Sequence, residues 1–240
     1  MTFSIIKLEE TDSTNTQLMA MAKAGAPHGT VVMAKHQTAG KGRLGRTFVS
    51  PEGSGLYCSV LIRQGFSMEH IGLITPCAAV AAAKALERIA GLDAGIKWVN
   101  DIIVSGRKIC GILTEASLPD FIVIGIGINL RSVNSTFPDE LLDIATSIED
   151  ETGRIITAPQ MADALLTELS GIVENLHNGD FLEEYRKRSC IIGREVNVMT
   201  GNETYPALVT GIDDNAGLII RLSTGEERVL RTGEVSVRFR

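Results

Sequence analysis

A loop in which glycines alternate with cations occupies residues 36–46 (HQTAGKGRLGR). Its alternating residues are Gly40, Lys41, Gly42, Arg43, Gly45 and Arg46. Glycine can adopt positive φ and bring bare N–H groups close to a ligand. Lysine offers an anion a point charge, and arginine offers it a bidentate fork. In a chain of formal net charge −6, this loop predicts a site for a phosphate or a carboxylate. A solvated surface turn is the alternative.

The loop matches neither of two common nucleotide-binding motifs. GKGRLG has the G-x-G-x-x-G spacing and follows an apolar strand, but the dinucleotide motif must open a helix. Pro51, Gly53 and Gly55 exclude a helix in the residues that follow. A Walker loop needs Ser or Thr after its Gly-Lys pair, and Gly42 stands at that position.

A cluster of short polar side chains, Asp12-Ser13-Thr14-Asn15, precedes the first predicted helix. Such residues are typical helix caps. Taken alone, the cluster favours that role, but at a helix N-terminus it also forms a polar pocket for the head group of a small ligand. Both interpretations stay open from the sequence, and Gln37, at the end of an apolar strand, is a further amide close to the glycine loop.

The stretch at 95–104 (GIKWVNDIIV) combines polar and apolar residues. Lys97 and Trp98 are predicted on an apolar strand, where a lysine can extend its amine to the surface and a tryptophan is commonly part of the core. Asn100 and Asp101 are predicted in the turn to the next strand. Asp101, beside a cationic loop, would hold magnesium or order the phosphate-binding cations.

The apolar strand FIVIGIGINL contains two glycines, Gly125 and Gly127, and ends near Asn129. Residues two apart on a strand point the same way. Glycines at such positions usually mark a close approach of another strand or of a flat ligand.

The elements that must position these residues are predicted from periodicity and breakers. Strands are expected in FSIIKLEE, TVVMAKHQ, GLYCSVLIR, GIKWV, KICGILTEA and FIVIGIGINL. Helices are expected in QLMAMAKAG, at about 69–89 with Pro76 at its start or at a kink, at 158–176, and in a short piece that ends near Ser189. Residues 131–154 are expected to form a long loop with one short helix, of a kind that often forms a lid. Five short β-type pieces after Ile191 suggest a small SH3-type barrel.

Composition limits the class of protein. The 240 residues are 44% hydrophobic and 22% charged, which is ordinary for a globular protein. The acidic pI near 5.3 argues against a surface that binds duplex DNA. No apolar run or leader suggests a membrane protein, and the histidines show no metal-ligand spacing. Four scattered cysteines predict buried free thiols of a cytoplasmic protein: Cys58, Cys77, Cys110 and Cys190.

Five motifs occur in an order and spacing that resembles biotin protein ligases. They are Ser13-Thr14-Asn15, residues 37–46, Lys97-Trp98-Val99-Asn100-Asp101, Gly106-Arg107-Lys108 with Gly111-Ile112-Leu113, and residues 125–129 (GIGIN). The resemblance extends over essentially the whole chain and includes residues 214–218 (DNAGL). It implies an α+β fold. A mixed-sheet ligase domain with helices packed on it (1–189) would be followed by an SH3-like β-barrel (190–240).

Members of this family activate biotin with ATP to biotinyl-5′-adenylate, release pyrophosphate, and pass the biotinyl group to a lysine of a biotin carboxyl carrier protein or domain. The resemblance thus implies biotin, ATP and Mg²⁺ as ligands and no tightly bound prosthetic group. The implied biotin-binding residues are Ser13, Thr14, Asn15, Gln37, Gly40, Lys41, Gly42, Arg43, Lys108 and Gly111. The implied residues for ATP and the adenylate are Arg43, Arg46, Phe48, Lys97, Trp98, Asn100, Asp101, Lys108 and Asn129. Lys108 and Arg43 are the implied catalytic residues, and Asp101 is the implied magnesium ligand.

Three residues depart from the family pattern. Lys41 stands where arginine is common, Phe48 where tryptophan is usual, and Val99 where proline is usual. Lysine cannot form the bidentate hydrogen bonds of arginine, so weaker binding of the adenylate is expected. Many bacterial members carry an N-terminal helix-turn-helix domain. Here the motifs start within the first dozen residues, so no DNA-binding domain is expected. A homodimer formed through sheet edges is a further expectation.

Three alternatives remain. A lipoate or octanoate ligase shares the acyl-transfer logic, but it lacks a loop of this form and usually lacks the terminal barrel. A non-catalytic sensor would bind biotin without activating it, and the retained Lys108 and Arg43 argue against it. A nucleic-acid-binding protein would use the basic C-terminal run, although the acidic balance of the chain conflicts with this.

Overall fold

A seven-stranded mixed sheet forms the centre of the larger part of the protein, in the strand order β1-β2-β3-β7-β6-β5-β4. The computed structural model describes residues 1–63, 68–200, 203–231 and 234–236. The strands are β1 Ser4–Thr11, β2 Thr30–Gln37, β3 Gly55–Ile62, β4 Gly95–Lys97, β5 Asp101–Val104, β6 Arg107–Ser117 and β7 Phe121–Asn129. β1 and β2 are parallel, and the other neighbouring strands are antiparallel.

In the described part of the chain, five α-helices accompany this sheet: α1 Thr14–Lys23, α2 Ile74–Ala90, α3 Ile148–Thr152, α4 Ala158–Glu174 and α5 Phe181–Lys187. The alternation of side chains in β7 separates two faces. Its isoleucines, such as Ile124 and Ile126, join the main core with α2 and α4. Val123 instead joins a smaller cluster with Leu18 of α1. The glycines Gly125 and Gly127 therefore lie on the α1 face, because residues two apart on a strand share a face.

The C-terminal part is a five-stranded antiparallel sheet in the order β11-β10-β9-β8-β12. Its strands are β8 Glu195–Thr200, β9 Glu203–Ile212, β10 Leu218–Arg221, β11 Glu227–Leu230 and β12 Glu234–Ser236. The five predicted β pieces and the α+β class are confirmed. The predicted turn at 201–202 and the end of the last piece after Ser236 lie outside the described residues. Within the described residues, no helix is long and apolar enough to cross a membrane.

Some predicted boundaries and burials need correction. α2 starts at Ile74, so Pro76 lies in its first turn, where its missing N–H costs no helical hydrogen bond. Trp98 lies in the turn after β4 and not on the strand. Cys58, Cys77 and Cys110 are buried free thiols as predicted, whereas Cys190 is only partly buried. Burial raises the pKa of the Cys58 thiol to about 12.

The loop between β7 and α4 contains the predicted short helix, α3. Its middle is fixed against the sheet. Thr146 and Ser147 are fully buried, and the Thr146 N–H donates to the Lys108 carbonyl at 2.9 Å. This part of the loop is thus a wall packed beside β6 and not a free lid.

Candidate active site

A cavity of about 460 Å³, including its open mouth, lies on the α1 face of the large sheet. Glycines form its floor, because the strand register brings Gly111 of β6 opposite Gly127 of β7. A methyl group at Gly127 would collide with the Phe48 ring, and one at Gly125 would collide with the Asn15 amide. The close approach expected at these two glycines is therefore made by side chains of the protein itself.

Register places the cavity on two neighbouring rows across the sheet. One row joins Ser59 of β3 to Gly125 of β7 and Leu113 of β6. The next row joins Gly127 to Gly111, and on to Asp101 of β5. Residues two apart on a strand are separated by about 6.6 Å. The two rows therefore form two ends of one site.

The first row carries a network of buried polar side chains at the N-terminus of α1. The fully buried Ser59 hydroxyl lies 2.8 Å from Thr14 Oγ1 and 2.6 Å from Asn15 Oδ1. Asn15 Nδ2 donates to the Glu115 carboxylate at 2.8 Å. Gln37 Oε1 accepts from the Thr14 N–H at 2.9 Å. Such a preorganised set of amides and hydroxyls suits a ligand head group that both donates and accepts hydrogen bonds.

Ser13 occupies the N-cap position of α1, yet its side chain makes no capping hydrogen bond. A serine at this position commonly accepts from a backbone N–H of the first turn. Ser13 instead lines the cavity. Of the two interpretations of the Asp12–Asn15 cluster, the geometry favours the ligand pocket.

The glycine loop forms a small hairpin over the cavity. The backbones of Lys41 and Thr47 form an isolated antiparallel β-bridge, and the Gly42 N–H donates to the Arg46 carbonyl at 2.7 Å. Arg43 donates from Nη1 to Asn100 Oδ1 at 3.1 Å, which ties the hairpin to the turn between β4 and β5. The loop is therefore bound to the turn at one wall of the site, and its Phe48 ring packs against Gly127 of the floor.

A second cavity of about 590 Å³ adjoins the first. Four cationic residues line it, and Asp101 is its only acidic lining residue among those described. The cations are Arg43, Arg46, Lys97 and Lys108. This excess of positive charge matches a polyanionic ligand such as a triphosphate.

Lys108 and Asp101 form an ion pair across the β5–β6 hairpin, with Nζ and Oδ1 2.6 Å apart. The described residues contain no group of three or more acidic, histidine or cysteine side chains that could hold a metal. Magnesium bound with a nucleotide needs only one or two carboxylates besides the phosphates. Asp101 at the edge of the cationic cavity fits that need.

Five residues line both cavities: Gly42, Arg43, Phe48, Asn100 and Lys108. Every residue that the sequence assigned to biotin, with the exception of Gly40, lines the first cavity. Every residue assigned to ATP, with the exception of Asn129, lines the second.

The two exceptions have other contacts. Gly40 packs against the Phe48 carbonyl and the Ser50 hydroxyl. Asn129 is buried and donates from Nδ2 to the Thr146 carbonyl at 2.9 Å, while its Oδ1 has no partner among the described residues. Neither residue is among the described residues that line these two cavities.

Ser59, Glu115 and Ser50 belong to the polar network but were not singled out from the sequence. Ser50 accepts from Gln37 Nε2 at 2.8 Å. Ser59 could have been identified from the sequence, since it is the one hydroxyl-bearing residue between the apolar side chains of CSVLI. Glu115 is a hundred residues from Asn15, and no local pattern links the two.

Comparisons with known proteins agree with this geometry. Residues 8–129 match the profile described as the Biotin/lipoate A/B protein ligase family, and residues 191–238 match the Biotin protein ligase C terminal domain. The chain is 33% identical over 224 residues to the bifunctional ligase/repressor BirA of Bacillus subtilis, covering 90% of this chain and 69% of that protein. It is 31% identical over 234 residues to the biotin--[acetyl-CoA-carboxylase] ligase of Mycobacterium tuberculosis, covering 94% and 86%.

A solved structure is also similar throughout. The biotin protein ligase from Aquifex aeolicus in complex with biotin and ATP superposes with a TM-score of 0.85 at 29% identity. The match covers 97% of each chain.

Proposed function

This chain belongs to the Biotin/lipoate A/B protein ligase family, and we propose from this premise that it is an ATP-dependent biotin protein ligase. It joins biotin to the AMP portion of ATP with release of pyrophosphate. It then transfers the biotinyl group to a lysine of a biotin carboxyl carrier protein or domain. The relatives named as ligases and the solved complex with biotin and ATP support this reaction.

One observation supports the assignment most directly, namely the five residues shared by the two cavities. A ligand in the first cavity and a nucleotide in the second would meet where Lys108 and Arg43 line both. A carboxylate and an α-phosphate held together there react as if at very high concentration. Both groups are anionic, and the two cations offset their repulsion.

In the first step, a carboxylate oxygen of biotin attacks the α-phosphorus of ATP, and the bond from that phosphorus to the bridging oxygen breaks. Pyrophosphate leaves with the electron pair. Lys108 and Arg43 would stabilise the charge that develops on the phosphoryl oxygens. Asp101 would hold the Mg²⁺ that accompanies the nucleotide and that neutralises phosphate charge when bound.

In the second step, the neutral amine of the acceptor lysine attacks the carbonyl carbon of the mixed anhydride, and AMP leaves. The nitrogen loses its proton as the amide forms. The hairpin of residues 40–48 would cover the anhydride and limit its hydrolysis. Lys41, Gly42 and Arg43 on that hairpin are the residues assigned to the carboxylate and phosphates.

The polar network around Ser59 supports biotin over other acids. A ureido group has N–H donors and a carbonyl acceptor, which Ser13, Thr14, Asn15 and Gln37 would pair. Octanoate and lipoate have no such head group and would cover these polar atoms without forming hydrogen bonds to them, which a binding site disfavours. A lipoate or octanoate ligase is therefore the weaker proposal.

ATP–pyrophosphate exchange with biotin, lipoate and octanoate offered separately, with and without Mg²⁺, tests the proposal. We expect exchange with biotin alone, and only when Mg²⁺ is present. Exchange with lipoate or octanoate instead would keep the mechanism and change the substrate. Measurable biotin binding without any exchange would make the protein a sensor and refute the enzymatic proposal. The homodimer stays a prediction, and a monomer mass in light scattering at micromolar concentration would contradict it.

A further inference from the structure

The turn between β4 and β5 is held from two sides by buried donors that belong to distant parts of the chain. The Tyr185 hydroxyl of α5 donates to the Val99 carbonyl at 3.1 Å. The Trp98 indole N–H donates at 2.9 Å to the carbonyl of Ala216, in the loop between β9 and β10 of the C-terminal sheet. Tyr185 is fully buried, and Trp98 is nearly so. Two adjacent residues of the turn are thus fixed by helix α5 and by the C-terminal sheet.

The residues on either side of Val99 line the second cavity, whereas Tyr185 does not. Asn100 directly follows Val99, and its side chain bridges two elements. It donates from Nδ2 to the Ile112 carbonyl at 2.9 Å and accepts from Arg43 Nη1 at 3.1 Å. A rotation of the peptide plane that carries the Val99 carbonyl would move the Asn100 backbone N–H with it. The orientation of the Asn100 side chain, and with it the position of Arg43, therefore depends on the hydrogen-bond partner of the Val99 carbonyl.

Helix α5 is itself hydrogen-bonded to the C-terminal part of the chain, at the end of β9 and in the loop that follows it. Arg186 donates from Nε to the Ile212 carbonyl at 2.9 Å and from Nη2 to Asp214 at 2.6 Å. Burial raises the pKa of the Tyr185 hydroxyl far above its ordinary value, and the nearby Arg43 charge offsets only part of this. The hydroxyl consequently stays protonated and remains a donor.

We propose that Tyr185 is a positioning residue for the nucleotide side of the site. Its hydroxyl fixes the Val99 carbonyl and thereby sets the orientation of Asn100. The Asn100 side chain in turn keeps Arg43 at the wall of the second cavity. Tyr185 touches neither ligand, and the inference rests on the proposed function for the identity of the nucleotide. It assigns to α5 a role in ATP binding that the side chains on the cavity walls do not reveal.

Tyr185→Phe removes one oxygen and leaves the aromatic packing in place. The Val99 carbonyl would lose its buried partner, so we expect the KM for ATP in pyrophosphate exchange to rise about fivefold or more. The Kd for biotin, measured by calorimetry without nucleotide, should rise less, by about twofold at most. Arg43 lines both cavities, but Ser13, Thr14, Asn15 and Gln37 would hold the biotin head group. Tyr205→Phe, on β9 and outside both cavities, is the matched control and should leave both constants unchanged.

The outcomes separate the possible failures. An unchanged KM for ATP in Tyr185→Phe, even with a lower unfolding temperature, would mean that Tyr185 serves the fold alone and would overturn the inference. A loss of biotin affinity as large as the loss of ATP affinity would overturn it as well, since it would indicate a general loosening of the structure and not a change on the nucleotide side. If the wild-type protein showed no exchange, the proposed function would fail. The Kd of a non-hydrolysable ATP analogue for wild type and Tyr185→Phe would then decide the role of Tyr185.

Discussion

Lys108→Ala is the substitution that the geometry of the two cavities makes most informative. Lys108 lines both cavities and forms the 2.6 Å ion pair with Asp101. The substitution removes a cation from the place where the carboxylate and the α-phosphate would meet. It also leaves the Asp101 carboxylate unpaired in front of an anionic substrate.

The expected loss follows from these two effects. Removing one preorganised group that stabilises transition-state charge costs about 100- to 1,000-fold in kcat, or about 2.7–4 kcal/mol. The unpaired Asp101 carboxylate adds repulsion, so the loss should lie toward the upper end of this range. Stability should change little, because a pair with 36% and 24% of its side chains exposed contributes about 0–1 kcal/mol.

The assay is biotin-dependent ATP–pyrophosphate exchange, with thermal unfolding as the check on folding. Lys35→Ala is a matched control, since Lys35 of β2 pairs with Glu9 of β1 at the same distance of 2.6 Å and both side chains are exposed. It should exchange at the wild-type rate. A folded Lys108→Ala protein that exchanged within threefold of wild type would refute the placement of the reacting atoms. Equal losses in both lysine variants would refute it too.

Three further predictions concern other parts of the site and its supports. Ser59→Ala should raise the Kd for biotin about tenfold in calorimetry with kcat nearly unchanged, because it leaves buried head-group partners misaligned; an unchanged Kd would remove Ser59 from the network. Gly127→Ala should displace the Phe48 ring and abolish biotin binding while the protein still unfolds cooperatively; full retention of binding would contradict the glycine floor. Burial would raise the pKa of Glu151, but hydrogen bonds from Thr146 and two neighbouring side chains outweigh it and lower that pKa. The stability from Glu151 is then present above its ordinary value of 4.5 and is lost as pH falls below it. Urea titrations should therefore show Glu151→Gln to be less stable than wild type by about 1–2 kcal/mol at pH 7 and closer to it at pH 3; a constant difference would contradict this sign.

The sequence predicted those features of the site that depend on local chemistry. The glycine–cation loop predicts an anion site because a flexible backbone and several cations in so few residues favour anion binding. Arg43 and Arg46 of this loop line the cationic second cavity. Gly125 and Gly127 were assigned to one face because strand geometry has a period of two. The five C-terminal strands were found from alternation and turn residues. In each case the signal lies within about ten residues.

Features that depend on long-range pairing were not predicted. The contact between Ser59 and Asn15 joins residues 44 apart, and the contact of Tyr185 with Val99 joins residues 86 apart. Sequence patterns state which face of a strand is buried, but not which side chain of another element arrives there. The contact of Asn129 is likewise a long-range contact that the sequence pattern does not predict. Its position at the end of β7 was evident, whereas its bond to the Thr146 carbonyl depends on how the following loop folds back.

Strand register explains why the two ends of the site keep their spacing although their residues come from distant parts of the chain. The row through Ser59 and Gly125 carries the polar network, and the row through Gly127, Gly111 and Asp101 carries the junction with the nucleotide cavity. A slip of β7 by one residue would bring isoleucines to the cavity floor and bury the glycines against α2 and α4. The buried isoleucines of β7 oppose that slip, since each would leave the main core. The same apolar packing that stabilises the sheet therefore also sets the separation between the head-group end and the reacting end.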